Sequence, residues 1–474
     1  MLKINTLNHY PIILPFMLFL IIIWDAGCGK TTDSGIITYP SDPALATSDL
    51  YTVTVNGQSV WTEKYRTDIA LDSLPEWFTS EPYTQEQQEL HISNFSCTGP
   101  IHVRIEIGQK INQAAIRPVS RKIKKSVHDR VLEFTLPGPD KLYIEINNLP
   151  PLCFFANPAE FEIPDKNNPH LHYFGPGIHQ PGLITLKDND ELYIAGGAVL
   201  YGGIRIDGAS NIRVTGRGIL DGGFRYRRMV YLKDASHVSI NGIIIRNGRG
   251  WTNTLVNCSD VTYRNVKVLG FGPSSDGINP LGSKQVTIDS CFLRCTDDCI
   301  AIKSPDPSDS VYDIQVINNT MIGYAFSDGV TIGFETNGPE ISDVTVRNCD
   351  ILIARGGSRV DGHSAFSIIC DGPAEIHNIT YEDIHVEERV YKLFELQVTD
   401  GTKYGINPPG HIRDVYLKNV SWAALAPIIL KGYDTGYGIN NVTFENCYIQ
   451  NKKLTEAWDA VFEMNHFVHG VKFK

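Results

Sequence analysis

Three aspartates stand out because their surroundings are apolar. Asp297 and Asp298 lie within the largely apolar stretch 295–304, and Asp276 precedes them by about twenty residues. Carboxylates that lose water without gaining partners cost free energy, so a group of them either shifts its members' pKa values or binds a cation. The stretch therefore predicts acid/base chemistry or a cation site. The alternative is a surface turn, where aspartate is common because it caps backbone groups.

A short unit recurs along more than half of the chain. It consists of a polar residue, a β-branched or other apolar residue, a second polar residue and an apolar one, and it returns every 23 to 36 residues. The copies begin at Asn211, His237, Asp260, Gln285, Asp313, Asp343, Asn378, Asp414 and Asn441. The spacing and the period-two alternation predict short strands in a solenoid. Because one coil cannot bury its inner face whereas stacked coils can, we expect an all-β protein built on a right-handed parallel β-helix.

The acids fall at similar distances from the start of their repeats. Asp276, the Asp297–Asp298 pair, Asp328 and Arg359 each follow the first apolar residue of a copy by about 11 to 15 residues. Equivalent offsets in stacked coils fall on one face, where neighbouring strands are about 4.8 Å apart. We expect a ladder of acids with the arginine above it, in which one carboxyl keeps a proton near neutral pH.

Such a ladder fits an inverting glycosidase. Inversion needs a carboxylic acid beside the leaving oxygen and a carboxylate that activates water, about 6.5 to 9.5 Å apart. That separation is more than one strand spacing and less than about two. The ladder therefore predicts hydrolysis of a glycosidic bond.

The same residues resemble glycoside hydrolase family 28, the polygalacturonase group. Residues 274–277 (Ser-Ser-Asp-Gly) stand where that family has Asn-Thr-Asp, and Asp297-Asp298 stands where it has Asp-Asp, within a resemblance that covers roughly residues 170 to 450. The chain is also similar to family 49, the dextranase and isopullulanase group, which has a sandwich ahead of the β-helix. The resemblance implies that Asp297 is the general acid, while Asp276 and Asp298 hold and deprotonate the attacking water.

Two departures from the family 28 pattern bear on the substrate. Asp328 stands where the family has the histidine of Gly-His-Gly, and Asp361, two residues after Arg359, stands where the family has the lysine of Arg-Ile-Lys. That lysine helps to hold the uronate carboxylate in polygalacturonases, and an acid in its place would repel a uronate. The resemblance therefore implies a neutral glycan in preference to polygalacturonate. The net charge of −11 agrees, since binders of polyanions usually gather a basic face.

Further residues are candidates for contacts with the substrate. His363, close to Arg359, is placed to take over the contacts of the missing histidine. Lys303 follows the Asp297–Asp298 pair, where it either meets a carboxylate or a sugar hydroxyl or points to solvent from the strand end. Tyr391 has roughly the spacing of a tyrosine that family 28 carries, although a tyrosine in an apolar stretch is usually a core residue.

The amino terminus predicts export. An apolar run over residues 12–24 follows Lys3, is too short to cross a bilayer comfortably, and ends at Ala-Gly-Cys28. This resembles a bacterial lipoprotein signal in which Cys28 is lipidated, with ordinary signal cleavage as the alternative. We expect the mature chain at the bacterial cell surface or in the periplasm, in contact with the membrane only through a lipid on Cys28.

The rest of the chain divides by pattern. Residues 29–48 are rich in Thr, Ser, Asp, Gly and Pro and predict a flexible tether. Alternating strands and turn residues over 49–166 predict an antiparallel β-sandwich, and 167–474 form the β-helix. We expect a monomer, and nothing in the sequence indicates a cofactor or a nucleic-acid partner.

The ten cysteines have mostly packing roles in this interpretation. Cys258, Cys291 and two later cysteines occur at similar points of their repeats, as expected for small apolar residues stacked inside the coils. Cys295 and Cys299 flank the acid pair and are either bridged or packed beneath it. The spacing typical of a zinc site is not present.

Two alternatives to a hydrolase remain at this point. In a calcium-dependent polysaccharide lyase the acids would hold the cation, and Arg359 or Lys303 would take a proton beside a uronate. In a non-catalytic solenoid that binds carbohydrate, the same face would serve only for adhesion. Aligned acids would have no purpose there, and Asp361 argues against a lyase.

Overall fold

The computed structural model of the chain describes residues 35–474 except for 68, 80–87, 162, 325, 355–362, 388–389, 401 and 459–460. It confirms an all-β protein in which two small sheets precede one long, mostly parallel sheet of 32 strands. The described helices are short: Leu71–Ser73, Glu76–Thr79 and Val119–Arg121. Among the described residues, no helix has both the length and the apolar character needed to cross a membrane. Cys28 lies outside the described residues.

The two small sheets pack face to face as a β-sandwich. One sheet contains the strands Ile36–Thr38, Thr62–Arg66, Glu89–Cys97, Ala114–Arg117, Asp140–Ile146 and Leu152–Pro158. The other contains Tyr51–Val55, Gln58–Val60, Ile101–Ile107, Lys125–His128 and Val131–Leu136. Their inward side chains alternate with outward ones and form one apolar core, with Phe95 and Phe154 in contact at 5.3 Å between ring centroids. The pairing is antiparallel except between Glu89–Cys97 and Leu152–Pro158.

The predicted tether is wrong over part of its length. Residues Ile36–Thr38 form a strand that pairs antiparallel with Glu89–Cys97. Ile36 is fully buried in the sandwich core, so its burial and the strand pairing offset the loss of chain entropy that a flexible segment would avoid.

The long sheet winds into the three faces of a parallel β-helix. We call the first the repeat face, because its strands carry the recurring unit: Leu171–Phe174, Glu191–Ile194, Ser210–Gly216, Ser236–Asn241, Ser259–Arg264, Lys284–Asp289, Val311–Ile317, the first part of Glu340–Ala354, the first part of Glu375–Val386, His411–Lys418, Ile439–Glu445, Val468–His469 and Lys472–Phe473.

The second, the covered face, contains the first parts of Gly177–Leu186 and Ala198–Asp207, then Ile219–Asp221, Ile244–Arg246, Lys267–Leu269, Phe292–Cys295, Thr320–Gly323, the ends of Glu340–Ala354 and Glu375–Val386, Ser421–Trp422, Tyr448–Ile449 and Lys452–Lys453.

The third, the cleft face, contains the second parts of Gly177–Leu186 and Ala198–Asp207, then Val230–Lys233, Asn253–Val256, Ile278–Leu281, Ile300–Ser304, Val330–Thr336, Phe366–Cys370, Phe394–Val398, Ile428–Lys431 and Phe462–Met464.

The recurring unit stacks in register, as the sequence predicts. Val261 pairs with Val286, which pairs with Ile314, which in turn pairs with Val344. All four side chains are fully buried inside the coils. The polar residue before each of these apolar positions has a positive φ, between 53° and 59° across the nine copies. Asn and Asp tolerate this left-handed conformation better than most residues, which explains why they begin most copies.

The sandwich lies against the covered face of the β-helix. Tyr65, Tyr143 and Phe155 from the sandwich pack with Leu269 and Phe292 in one apolar cluster between the two parts. Buried polar contacts accompany this cluster. Arg246, from a strand of the covered face, forms ion pairs with Asp221 at 2.7 Å and with Glu63 of the sandwich at 2.9 Å. The two parts therefore meet in a buried interface.

Removal of Arg246 should destabilise the whole protein. In Arg246→Met the buried carboxylates of Asp221 and Glu63 lose their cation, and the expected loss is about 3–5 kcal/mol in the free energy of unfolding. Urea unfolding at neutral pH measures it. Lys431→Met is the matched control, because its pair with Glu463 is exposed, and it should cost less than about 1 kcal/mol. Equal effects of the two variants would contradict the structural role of the buried pair.

Candidate active site

The acids lie in equivalent turns, each between a strand of the covered face and a strand of the cleft face. The carbonyl of Asp298 accepts a hydrogen bond from Gly277 at 2.8 Å, and the carbonyl of Asp328 accepts one from Cys299 at 2.9 Å. Asp276, Asp298 and Asp328 therefore occupy corresponding backbone positions in successive coils. The ladder that the offsets predict is present in the backbone.

Glycine is required beside Asp276 for a steric reason. A Cβ atom at Gly277 would lie 2.3 Å from the carbonyl oxygen of Cys299 in the next coil. Only glycine lets the two turns approach closely enough to stack their acids.

Hydrogen bonds of Thr296 fix the turns relative to each other. Its hydroxyl donates to the carbonyl of Gly272 at 2.8 Å and accepts from the Gly272 amide at 3.0 Å. The Ser275 hydroxyl lies 2.8 Å from the same oxygen. Because Ser275 precedes Asp276 and Thr296 precedes Asp297, these bonds set the distance between the two acids.

Three carboxylates meet in this way. Asp276, Asp297 and Asp298 each place an oxygen within 4.8 Å of the others, and we call them the acid trio. The Asp276 Oδ2 atom accepts a hydrogen bond from Asn279 at 2.9 Å, while its Oδ1 atom is buried without a partner among the described residues. Such a group can share protons, hold a water molecule or hold a divalent cation.

Burial raises the pKa values of the whole trio. The pKa of Asp297 rises to about 6 through loss of water, and that of Asp298 rises to about 8 through loss of water and the charge of Asp297. Burial and the two neighbouring charges also raise the pKa of Asp276 well above its ordinary value. The trio therefore keeps at least one proton near neutral pH, as the sequence predicts. Because the groups are coupled, these values belong to the trio as a set.

Lys303 is a cation beside the trio. Its ammonium group lies 2.7 Å from Glu335 and 5.4 Å from the ring centre of Trp251, and its side chain is almost buried. The pKa of Lys303 lies above its ordinary value, because the charges of Glu335, Asp276 and Asp298 outweigh the effect of burial. Lys303 in turn lowers the pKa values of all three members of the trio.

A cleft of about 1180 Å³ opens over these residues. It runs along the cleft face from Leu183 to Thr331 and includes the whole trio, Lys303 and His363. Seven strands span these limits, and the acids lie in the turns before the fifth and the sixth. The cleft is therefore asymmetric, with four strands on the amino-terminal side of the acids and one on the carboxyl-terminal side.

The cleft ends soon after the trio. The outward positions of the next two strands are Ser367 and Glu395, and both are fully buried. The amino-terminal side is open and is lined by aromatic and basic side chains. Arg225, Arg227 and Arg228 form a run before strand Val230–Lys233, which we call the arginine run.

The other candidate contacts have different positions. Asp328 is fully buried and does not line the cleft; its carboxylate accepts hydrogen bonds from the Ser364 amide at 2.7 Å and the Ser367 hydroxyl at 2.5 Å, so it supports these turns from behind. His363 lines the cleft, and burial lowers its pKa to about 4, so it is neutral. Tyr391 is 41% exposed and lies outside the cleft, so its predicted contact finds no support.

Two candidate site residues lie outside the described part of the chain, and the described cysteines have packing roles. Arg359 and Asp361 lie in 355–362, outside the described residues. The nine described cysteines are free and buried, so Cys295 and Cys299 pack beneath the acid pair without a disulfide.

The sequence did not single out the arginine run or Asn279. The run follows Ile212 by 13 to 16 residues, which is close to the offset of the acids in later copies. The same distance from the first apolar residue of a copy, measured in the copy that begins at Asn211, would have indicated the arginine run.

A parallel β-helix with a carboxylate trio in a long cleft defines a class of glycan-cleaving enzymes. The sequence pattern described as glycosyl hydrolases family 28 matches residues 193–457. The chain belongs to this family and is a glycoside hydrolase. Family membership sets aside the lyase and the non-catalytic solenoid.

Relatives and solved structures agree with this assignment. A probable exopolygalacturonase B of Aspergillus terreus is 26% identical over 271 residues, which are 51% of this chain and 54% of the relative. The chain spans about half the length of that relative. Dex49A from Penicillium minioluteum superposes with a TM-score of 0.70 at 16% identity, over 95% of this chain and all of its own. An exopolygalacturonase of Thermotoga maritima gives 0.50 at 18% identity, over 63% and 82%. These two likenesses show the fold.

The pH dependence of activity should report the charge of Lys303. If the trio supplies the acid and the base, activity falls below about pH 6, where the last carboxylate gains a proton, and falls again at high pH, where the last proton leaves the trio. Without the cation the carboxyls keep their protons up to a higher pH. Lys303→Met should therefore move the acidic and the basic limb of the pH–activity profile upward by roughly one pH unit. The measurement is kcat/KM against pH.

Lys403→Met is the control for this variant. Lys403 also lines the cleft but lies over Tyr404, and it contributes to none of the trio's pKa values. It should leave both limbs in place. Limbs that stay fixed in Lys303→Met as well would show that the trio does not control the rate.

Proposed function

We propose that the protein is an exported, inverting exo-hydrolase of an acidic glycan. Asp297 acts as the general acid, and Asp276 and Asp298 hold and deprotonate the water. The observation that carries the proposal is the acid trio, in which three carboxylates with raised pKa values face one cleft. Export rests on the amino-terminal signal pattern, with lipidation of Cys28 as part of the proposal.

The contacts of the trio support these roles. Oδ1 of Asp297 accepts a hydrogen bond from the Asp298 amide, and Oδ1 of Asp298 accepts one from the Asp328 amide. Each carboxyl thus has a fixed orientation and keeps its second oxygen for a proton, a water or the substrate. Asp276 is the most deeply buried of the three and has one oxygen without a partner among the described residues, which suits a water-holding group.

The proton has to be on Asp297 when the bond breaks. In the resting cleft Asp298 has the higher pKa of the adjacent pair, so the proton resides more often on Asp298. The groups are close enough to exchange a proton, and a glycosidic oxygen beside Asp297 would stabilise the state in which Asp297 donates.

The distance within the trio bears on stereochemistry. Oxygens within 4.8 Å of one another are closer than the roughly 6.5–9.5 Å expected between an inverting acid and its base. Short separations of about 5 Å are typical of retention, where a carboxylate attacks the sugar directly. Inversion is proposed because the family resemblance assigns two acids to one water, and the product anomer distinguishes the two routes.

The substrate proposal reverses the preference for a neutral glycan. That preference depended on Asp328, which is fully buried and does not line the cleft, and on Asp361, which lies outside the described residues. The open side of the cleft carries the arginine run, whose three side chains are exposed and have no carboxylate partner among the residues described. On a protein with a net charge of −11, this local positive charge favours an acidic sugar chain.

Aromatic rings add to this side of the cleft. The Arg228 guanidinium lies 5.1 Å from the ring centre of Tyr231 and 5.7 Å from that of Trp251. Cation–π contacts hold the guanidinium in place, and the remaining ring surface can stack on sugar rings. Together with the closed end beyond the trio, this arrangement supports attack at a chain end. The name of the relative from Aspergillus terreus, a probable exopolygalacturonase, also supports attack at a chain end.

Hydrolysis is tested on a panel of acidic and neutral polysaccharides in buffer with a calcium chelator. We expect new reducing ends without ultraviolet absorbance on an acidic glycan, with a short product from the first time points.

Asp297→Asn should abolish turnover while the fold and substrate binding persist, because it removes the proton donor without a change in volume. Nuclear magnetic resonance of the first product gives the anomer. Full activity of Asp297→Asn would refute its role, and a retained anomer would refute inversion.

Acid recognition is tested by the double variant Arg227→Gln/Arg228→Gln. We expect KM on an acidic oligosaccharide to rise about 10-fold or more, since hydrogen bonds to charged groups contribute roughly 1.5–3 kcal/mol. The wild-type KM should rise with salt, and the variant should lose most of that dependence. Arg264→Gln is the control, because Arg264 is paired with Asp289 on the repeat face. Unchanged KM in the double variant, or a wild type active only on neutral glycans, would refute an acidic substrate.

A further inference from the structure

A segment of the sandwich reaches past the covered face to the turns that carry the acids. It follows strand Thr62–Arg66, and we call its described residues 69–79 the arm. The arm begins at a fixed base, where Thr67 donates a hydrogen bond from its amide to the carbonyl of Gln88 at 2.9 Å. The Gln88 side chain in turn donates to the carbonyl of Ile69 at 3.2 Å.

Among the described side chains of the arm, Phe78 makes the buried contact with the β-helix. It is fully buried, and it is the only buried side chain among those the structure describes in the arm. Its ring meets that of Phe271 edge to face, at 5.7 Å between centroids and an interplanar angle of 86°. Ile69, Leu74 and Phe326 surround the pair, and this small cluster is separate from the other three apolar clusters.

Phe271 belongs to the turn that carries Asp276. Its neighbours on both sides are bonded to the next coil: Gly270 donates to the carbonyl of Arg294 at 2.7 Å, and Gly272 exchanges hydrogen bonds with the Thr296 hydroxyl. A displacement of the Phe271 ring would therefore also move Thr296, which directly precedes Asp297.

Phe326 connects the same cluster to the cleft. Its amide donates a hydrogen bond to the carbonyl of Thr296 at 3.3 Å, and its ring lies 6.1 Å from that of His363. Phe326 itself lines the cleft. The three turns that bear Asp276, Asp297 and Asp328 thus all contact the cluster or its hydrogen-bond partner.

We propose that Phe78 is a positioning residue, by which the sandwich sets the separation between Asp276 and the Asp297–Asp298 pair. The inference rests on the proposed catalytic role of the trio. Attachment of the sandwich does not require Phe78, because the apolar cluster of the covered face and the Arg246 ion pairs already hold it. Phe78 acts outside that interface, on the outer side of the acid turns. The sandwich then helps to position the acids of the active site, in addition to covering one face of the β-helix.

The test compares Phe78→Ala, Phe78→Leu and Phe134→Ala. Phe78→Ala should lower kcat about 10- to 100-fold with little change in KM, because a displacement of about 1 Å between reacting groups can cost on the order of 100-fold in rate. It should also shift the limbs of the pH profile, because the coupling among the three carboxyls depends on their separation. Phe78→Leu should restore most of kcat by refilling the space.

Phe134→Ala is the matched control. Phe134 is buried in the sandwich core away from the β-helix, so its loss should lower the melting temperature and leave kcat and the pH profile unchanged. All assays are made below the lowest melting temperature of the set. If kcat and the pH limbs of Phe78→Ala equal those of the wild type, the arm only attaches the sandwich and the proposal is overturned.

A second readout separates this proposal from the proposed function. Hydrogen exchange should be faster at the Gly272 and Gly277 amides in Phe78→Ala than in Phe134→Ala, whether or not a substrate has been found. Equal exchange in the two variants would overturn the positioning role. Inactivity of the wild type on every glycan would count against the proposed function alone.

Discussion

The in-register stacking of coils is the constraint on which this structure depends. Parallel strands about 4.8 Å apart bring the same position of each coil onto one line, so the identity of one residue per coil decides what that line contains. Inside the coils the line is apolar, as in Val261, Val286 and Ile314, and it forms the main core. At the turns before the cleft face the same rule brings carboxylates together, although their mutual repulsion opposes the approach.

The core therefore supplies the stability that the acids would otherwise remove. Loss of water and mutual repulsion raise the pKa values of the trio, which means that a fully ionised trio would oppose the fold. The turns keep their geometry because glycine at position 277 permits the close approach and Thr296 bonds one turn to the next. Lys303 offsets part of the repulsion and leaves the carboxyls protonated in part. The raised pKa values of the trio and the fixed spacing of its carboxyls both result from the stacking of the coils.

Much of the fold was predictable because stacking leaves a pattern in the sequence. The recurring unit predicted the β-helix, and the offsets of Asp276, Asp297 and Asp298 predicted their meeting, since both depend on one local rule repeated along the chain. The contact of Tyr391 stays a prediction without support from the cleft, because its spacing came from a resemblance and not from an offset within its coil. The paired strand Ile36–Thr38 escaped notice because three residues carry too little periodicity, and its partner lies more than fifty residues away. The offset does not specify orientation either: Asp328 has the backbone position of an acid-ladder residue but turns behind the cleft toward Ser364 and Ser367.

The same rule explains how one cleft holds both arginines and a group of carboxylates. Each coil contributes one turn to the cleft, so successive turns are independent positions for different side chains along a single groove. The amino-terminal coils place arginines and Trp251 there, and the next two place the trio. The arginines and the trio are thereby separated along the axis by whole strand spacings, a distance over which ions in water screen their attraction only in part. If the arginines stood in the coils of the trio, they would lower its pKa values and remove the proton that general acid catalysis needs. In the proposed function, separation by coils allows the protein to attract an anionic chain and still protonate its glycosidic bond.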